Sequence, residues 1–246
     1  MNNPEGGAPF TNPGGPNPDN GQPQPQRRTS GQWDNLLHDE RVRQAKQVSK
    51  QYWGFFLSAL TRPYSTMKEV QAAQLLNSLI TMGLTAILSA LYFLTWFIKW
   101  DISPIIGPGF LKPLLLTAAG IAVGCGTTYA ALRLEKVSFD LKLLIARFGT
   151  LLVPAVALLV LAILSLILSL YSFSVLLLIL SFLFVFVSIN TVAFQYPLNT
   201  SNRGIDTLYL IATANVATGY IFYKLIMSVL AGAAYGLFNS ISPFGL

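Results

Sequence analysis

The sequence predicts an all-α fold: an integral membrane bundle of five transmembrane helices, preceded by N-terminal interfacial amphipathic helices. Three observations predict it. From Phe148 to Asn202 no residue is charged. Only 11% of the chain is charged, against about 25% in soluble globular domains, while 53% is hydrophobic and mean hydropathy is +0.54. The basic residues gather in alternate connections between the apolar runs. A soluble core hairpin does not account for the charge-free stretch, because neither of its halves has a polar face to turn toward water.

Residues 1–32 are rich in Asn, Pro, Gly and Gln and read as a disordered cytosolic tail. The alternation Gln22-Pro23-Gln24-Pro25 offers a polyproline ligand as a competing reading to a plain solvated tail. No secretory signal peptide is expected, since the first long apolar run begins near Leu75.

Residues 33–74 form an interfacial segment. Trp33, Leu37, Ala45, Val48, Tyr52, Phe55, Phe56 and Ala59 recur near helical spacing, with Arg41, Arg43, Lys46 and Lys50 between them. An amphipathic helix with an aromatic end and a basic polar side lies in the membrane interface. Trp53 joins the four basic residues as the candidate membrane-surface set. A coiled-coil or partner-binding helix is the competing reading. Arg62-Pro63 ends this helix, because proline cannot extend a helix in progress. A short second helix over 64–74 leads into the bilayer.

The membrane domain covers 75–246, with spans at about 75–98, 113–132, 148–170, 175–196 and 208–230. Tyr92, Trp96 and Trp100 place an aromatic belt at the end of the first span. The second holds Gly120 and Gly124, a pair that lets helix backbones approach closely. A short interfacial helix over 137–145 and Pro154 precede or open the third. A single helix from Phe148 to Asn202 would run about 80 Å, against a hydrocarbon core ~30 Å thick, so the chain must turn and recross. Leu170-Tyr171-Ser172-Phe173-Ser174 is the predicted turn. After the fifth span a small-residue tail carries Gly232 and Gly236.

Arg27, Arg28, Arg41, Arg43, Lys46, Lys50, Arg62 and Lys68 precede the first span. Arg133, Lys136, Lys142 and Arg147 lie between the second and third, and Arg203 between the fourth and fifth. Lys99 and Lys112 alone fall in the other connections, and Lys224 reaches the far interface from within the fifth span. The positive-inside rule then puts the N-terminus in the cytosol and the C-terminus outside. In this light the net charge of +6 reflects topology, and no nucleic-acid partner is expected.

Chemistry has few candidates. A lone histidine, His38, and a lone cysteine, Cys125, make no catalytic set, disulfide or metal cluster. No Asp or Glu falls within a span, and no phosphate-binding glycine loop is present. No catalytic residue, metal or cofactor is expected, and the chain does not read as an enzyme. Intramembrane polar residues remain: Asn77, Thr81, Thr127, Thr128, Asn190, Thr191, Gln195, Asn215 and Lys224. Asn215, Asn190 and Lys224 form the candidate polar bundle site, read either as interhelical hydrogen bonding or as part of a polar substrate path.

Two runs carry a resemblance. The first is Trp53-Gly54-Phe55-Phe56-Leu57-Ser58-Ala59-Leu60-Thr61-Arg62-Pro63. The second extends from Ser138-Phe139-Asp140-Leu141-Lys142-Leu143-Leu144 through Phe148-Gly149 to Leu152-Val153-Pro154. With five closely spaced spans, they resemble the Yip1 domain superfamily, especially its bacterial members, over about 50–235. The resemblance implies a multi-pass protein of the bacterial cell membrane that works through the lipid bilayer and other membrane proteins, or by self-association. The Asp-Leu-Tyr-Gly-Pro motif of the eukaryotic branch is absent, so Rab-linked trafficking is not implied. The cysteines of the zinc ribbon found in some bacterial relatives are absent too. A small-solute transporter, or the membrane subunit of one, is the alternative function.

Overall fold

In the computed structural model, residues 40–135, 137–196 and 207–241 are described. The expected tail, His38 and most of the Pro197–Thr207 connection lie outside the described residues. The chain divides at Gln47 into two units. The described part of the first is the opening of helix α1 (Glu40–Thr61), and the second holds the bundle.

Over its second half α1 buries Phe55 and Ala59, one turn apart, in a small core with Val70, Ala146 and Val153. Tyr52 adds a hydrogen bond between its Oη and Thr81 Oγ1 at 3.2 Å. Pro63 stops α1 and starts α2 (Pro63–Glu69), since a proline tolerated in a first turn cannot continue a helix already formed. Thr66 Oγ1 donates to the Ser58 carbonyl at 3.1 Å and stitches the corner. A 3-10 turn over Ala72–Gln74 then turns the chain into α3.

The bundle consists of α3 (Leu75–Lys99), α4 (Lys112–Leu134), α5 (Leu141–Leu151), α6 (Val153–Ile167), α7 (Tyr171–Ala193) and α8 (Thr207–Ile241). They form five segments long and apolar enough to cross a membrane, with α5 and α6 making one of them, Leu141–Ile167. Successive segments run antiparallel. We call the end where α3 begins proximal, and the end at the α3–α4 connection distal. The broad pairings are α4 with α8, α6 with α7, and α3 with α4, α5 and α6. Apolar residues such as Leu76, Leu115, Leu164, Leu183, Val216 and Leu230 stay exposed along the outside, as a lipid-facing surface requires.

Small and hydroxyl side chains line the interior because helix association in lipid relies on close packing. Along α3, Asn77, Ser78, Thr81, Thr85 and Ser89 are buried. Thr81 and Thr85 return their hydroxyls to carbonyls of their own helix, at 3.0 and 2.8 Å. Ser78 Oγ instead donates to the Ala146 carbonyl at 2.7 Å, and Ser89 shares a 3.0 Å bond with Thr117.

Three boundaries differ from the sequence expectation. The third span begins at Leu141, not Phe148, and the predicted interfacial helix is its first half. The helix breaks at Leu152, because Pro154 has no N–H and its ring clashes with a preceding carbonyl; Leu152 N–H closes a tighter bond to Gly149 instead. The hairpin turn falls at 168–170, with Ser169 at φ 65°, so Tyr171 to Ser174 open α7. Ser174 points inward, bonding the Ala162 carbonyl at 2.8 Å and Tyr92 Oη at 3.1 Å. Lastly, α8 continues through Gly232 and Gly236 rather than ending near Leu230. A Cβ at Gly232 would strike Pro108, and one at Gly236 the Ser103 carbonyl and Ile102. That contact offsets the helix-propensity cost of glycine.

Candidate functional site

The proximal end concentrates the cationic and aromatic side chains. On α1, Lys50 is exposed, while Arg41, Arg43 and Lys46 fall in the first unit. Trp53 is 61% exposed and stacks on Phe56 at 5.8 Å. Leu57, Leu60 and Tyr64 are exposed as well, so the α1–α2 corner presents apolar side chains outward while Phe55 and Ala59 face in. Lys68 Nζ lies 4.4 Å over the Tyr64 ring, and Gln195 Nε2 donates to Tyr64 Oη at 3.1 Å. The Gln195 bond ties α2 to the end of α7.

Beside it runs a ladder of cations and rings. Arg133, in the last turn of α4, donates from Nε to Tyr129 Oη at 3.3 Å. Tyr129 meets Phe139 at 5.5 Å, and Phe139 meets Tyr196 at 5.7 Å. The Arg147 guanidinium sits 5.3 Å over the Tyr196 ring. Asp140 caps α5 by accepting from the Lys142 N–H at 2.9 Å, which fixes Phe139 just outside the helix. Burial raises the Tyr196 pKa above the usual phenol value, opposed by the Arg147 charge. The guanidinium lies close enough to the hydroxyl to lower its pKa, yet Arg147 Nε and Tyr196 Oη are both buried and neither completes a hydrogen bond.

Deeper in the bundle, two members of the predicted polar set meet. Asn215 Nδ2 donates to Asn190 Oδ1 at 3.0 Å and to the Ile211 carbonyl at 3.0 Å. Asn190 Nδ2 donates to the Phe186 carbonyl at 2.8 Å. Asn215 Oδ1 and, one turn on, Thr218 Oγ1 are buried without partners. Lys224 does not join them. It is exposed, with Nζ 5.4 Å over the Tyr220 ring, and lies about 14 Å farther along α8.

All four glycines singled out by spacing are engaged within the chain. A Cβ at Gly120 would lie 3.1 Å from Phe222, and one at Gly124 3.1 Å from Ile189 and 3.4 Å from Thr218 Oγ1. Gly232 and Gly236 pack on the α3–α4 connection. These faces join helices of the bundle.

Sequence reasoning missed several structural roles. Lys99 Nζ donates to the Leu166 and Ile167 carbonyls at 2.7 and 2.9 Å and to Ser169 Oγ at 2.8 Å, capping α6. Its position before Trp100 suggested only a loop charge. Phe139, Tyr129 and Tyr196 were hidden because their meeting depends on tertiary contacts between α4, the connection after it and the residues after α7. The alternation of basic and aromatic residues near span ends was the available signal. Among the described residues no group of three His, Cys, Asp or Glu side chains is placed to hold a metal.

The class follows from this geometry: an all-α membrane bundle with five candidate spans, a lipid-facing apolar exterior and a basic–aromatic proximal end. Over 118 residues the chain is 33% identical to a protein of Bacillus subtilis (strain 168) called "Uncharacterized protein YvbI", a match covering 48% of this chain and 51% of that protein. The chain thus spans about half the length of that curated relative. No family model matches it, and no solved structure matches it.

Proposed function

We propose that this is a non-enzymatic, Yip1-like multi-pass membrane protein that acts through lipid and protein contacts, in a scaffolding, trafficking or envelope role. Its partners are the bilayer and other membrane proteins or a second copy, with the N-terminus in the cytosol of a bacterial cell and the C-terminus outside. The observation that carries the reading is the α1–α2 corner. Its inward face packs on the bundle through Phe55 and Ala59, while Trp53, Leu57, Leu60 and Tyr64 point outward beside Lys50 and Lys68. A helix presenting aromatics and lysines together at a membrane surface binds anionic lipid, at about 1 kcal/mol per basic residue near the headgroups. Proximity labelling from Trp53→Cys in native membrane tests it. Capture of lipid and of defined membrane proteins, with no solute flux by the reconstituted protein, is the expected result.

A second reading, a small-solute transporter or its membrane subunit, draws on one observation. Asn215 Oδ1 and Thr218 Oγ1 are polar atoms inside the bundle without partners. Flux across vesicles that is lost in Asn215→Leu at normal expression would favour it.

A further inference from the structure

We propose that the ladder formed by Arg133, Tyr129, Phe139, Tyr196 and Arg147 is a binding site for a phosphate group at the proximal membrane surface, with the headgroup of an anionic phospholipid as its source in the bilayer. The inference rests on the membrane-contact reading above and gives it a specific headgroup site.

The first argument is donor chemistry. Arg147 Nε carries only a donor, and the Tyr196 hydroxyl is a donor with no acceptor beside it. Both atoms are buried, and an unmet buried donor costs more than an ordinary hydrogen bond contributes. Their shared need is an anionic acceptor able to face two donors at once. A phosphate offers several oxygens, and guanidinium–phosphate pairing is among the stronger charge-assisted contacts.

The second argument is charge. Arg133 and Lys142 are exposed and Arg147 is half-buried, so cations stand at both ends of the ladder. Asp140 and Glu135 are the opposing carboxylates. Asp140 already accepts the Lys142 N–H as the α5 cap, and Glu135 has an interaction of its own.

The third argument is location and shape. The ladder draws on the end of α4, the 135–140 connection, α5 and the residues after α7, all at the proximal end. Gln195, next to Tyr196, links it through Tyr64 to Lys68. Aromatic rings at that level suit the interfacial zone where headgroups lie.

Native mass spectrometry of the full-length protein, titrated with phosphatidylglycerol or phosphatidylcholine, tests this. Wild type should retain phosphatidylglycerol in preference to phosphatidylcholine. Arg147→Gln and Tyr196→Phe should each lower that retention by about fivefold, and Ser172→Ala, at the distal end, should not. Tyr196→Phe keeps the ring contacts, so it reports on the hydroxyl even if Arg147→Gln folds poorly. Competition by excess inorganic phosphate would support a phosphate site filled from solution. Retention unmoved by phosphate supports the lipid headgroup. Equal retention of both lipids, or full retention in both variants, overturns the proposal. Loss of lipid association by the α1 segment with the Arg147 and Tyr196 effects intact would instead count against the broader reading alone.

Discussion

Ser78 and Gly149 meet so closely that a Cβ built on the glycine would lie 2.5 Å from the serine Cβ and 2.6 Å from its carbonyl oxygen. Beside this contact the Ser78 hydroxyl reaches the Ala146 carbonyl at 2.7 Å. The crossing of α3 over α5 therefore depends on a missing side chain and a short polar one. Because the opposing atoms include backbone, a larger residue cannot be accommodated by a rotamer change. Gly149→Ala should cost about 1–3 kcal/mol by overpacking. Thermal unfolding in detergent reads this as a clear fall in Tm. A Tm equal to wild type would show that the two helices do not meet this way.

Lys99 donates to the Leu166 and Ile167 carbonyls in the last turn of α6, the first of which also accepts the Ser169 N–H, and its charge complements the helix dipole there. Lys99→Gln keeps part of the length but removes the charge, and Lys99→Met removes all its donors. We expect a loss of about 1 kcal/mol for glutamine and more for methionine. Equal stability of both variants and wild type would contradict the cap.

The Asn190–Asn215 bond joins α7 to α8. Interhelical bonds of this type average about 0.6 kcal/mol in a membrane protein. Leucine at either position should leave expression near normal. A double-mutant cycle scored by thermal unfolding should give a coupling energy of that order. A coupling of zero would show the amides to be independent.

Replacing Arg41, Arg43, Lys46 and Lys50 with Gln should leave membrane insertion intact. The same changes in a peptide covering 33–60 should free it from anionic vesicles, since each basic residue contributes about 1 kcal/mol near the surface. Vesicle cosedimentation measures the effect. Undiminished binding of the substituted peptide would remove the interfacial-helix reading.

The fold class was legible because the charge-free run and the placement of basic residues are direct consequences of solvation in lipid. Span ends were less legible where tertiary contacts override local signals. Ser172 and Ser174 look like turn residues, yet Ser174 is satisfied by Ala162 and Tyr92, so the helix forms around it. Gly232 and Gly236 read as a small-residue tail beyond the fifth span, yet α8 continues through both and each fits against the α3–α4 connection. The cost of an unpaired amide in lipid pointed Asn190 and Asn215 toward the bundle, where the two meet, while Lys224 of the same set is exposed on α8. The Arg147–Tyr196 contact joins positions far apart in the chain, and no periodicity reports such a meeting.

The central claim is that the chain crosses a bilayer five times with its proximal connections on the N-terminal side. Cysteine-accessibility labelling tests it most directly, using Cys125→Ala as background and single cysteines at Ser103 and Ser138, exposed in opposite connections. With an impermeant reagent on intact cells, Ser103→Cys should label and Ser138→Cys should react only after permeabilisation. Labelling of both from the same side, or of Ser138→Cys alone from outside, would contradict it.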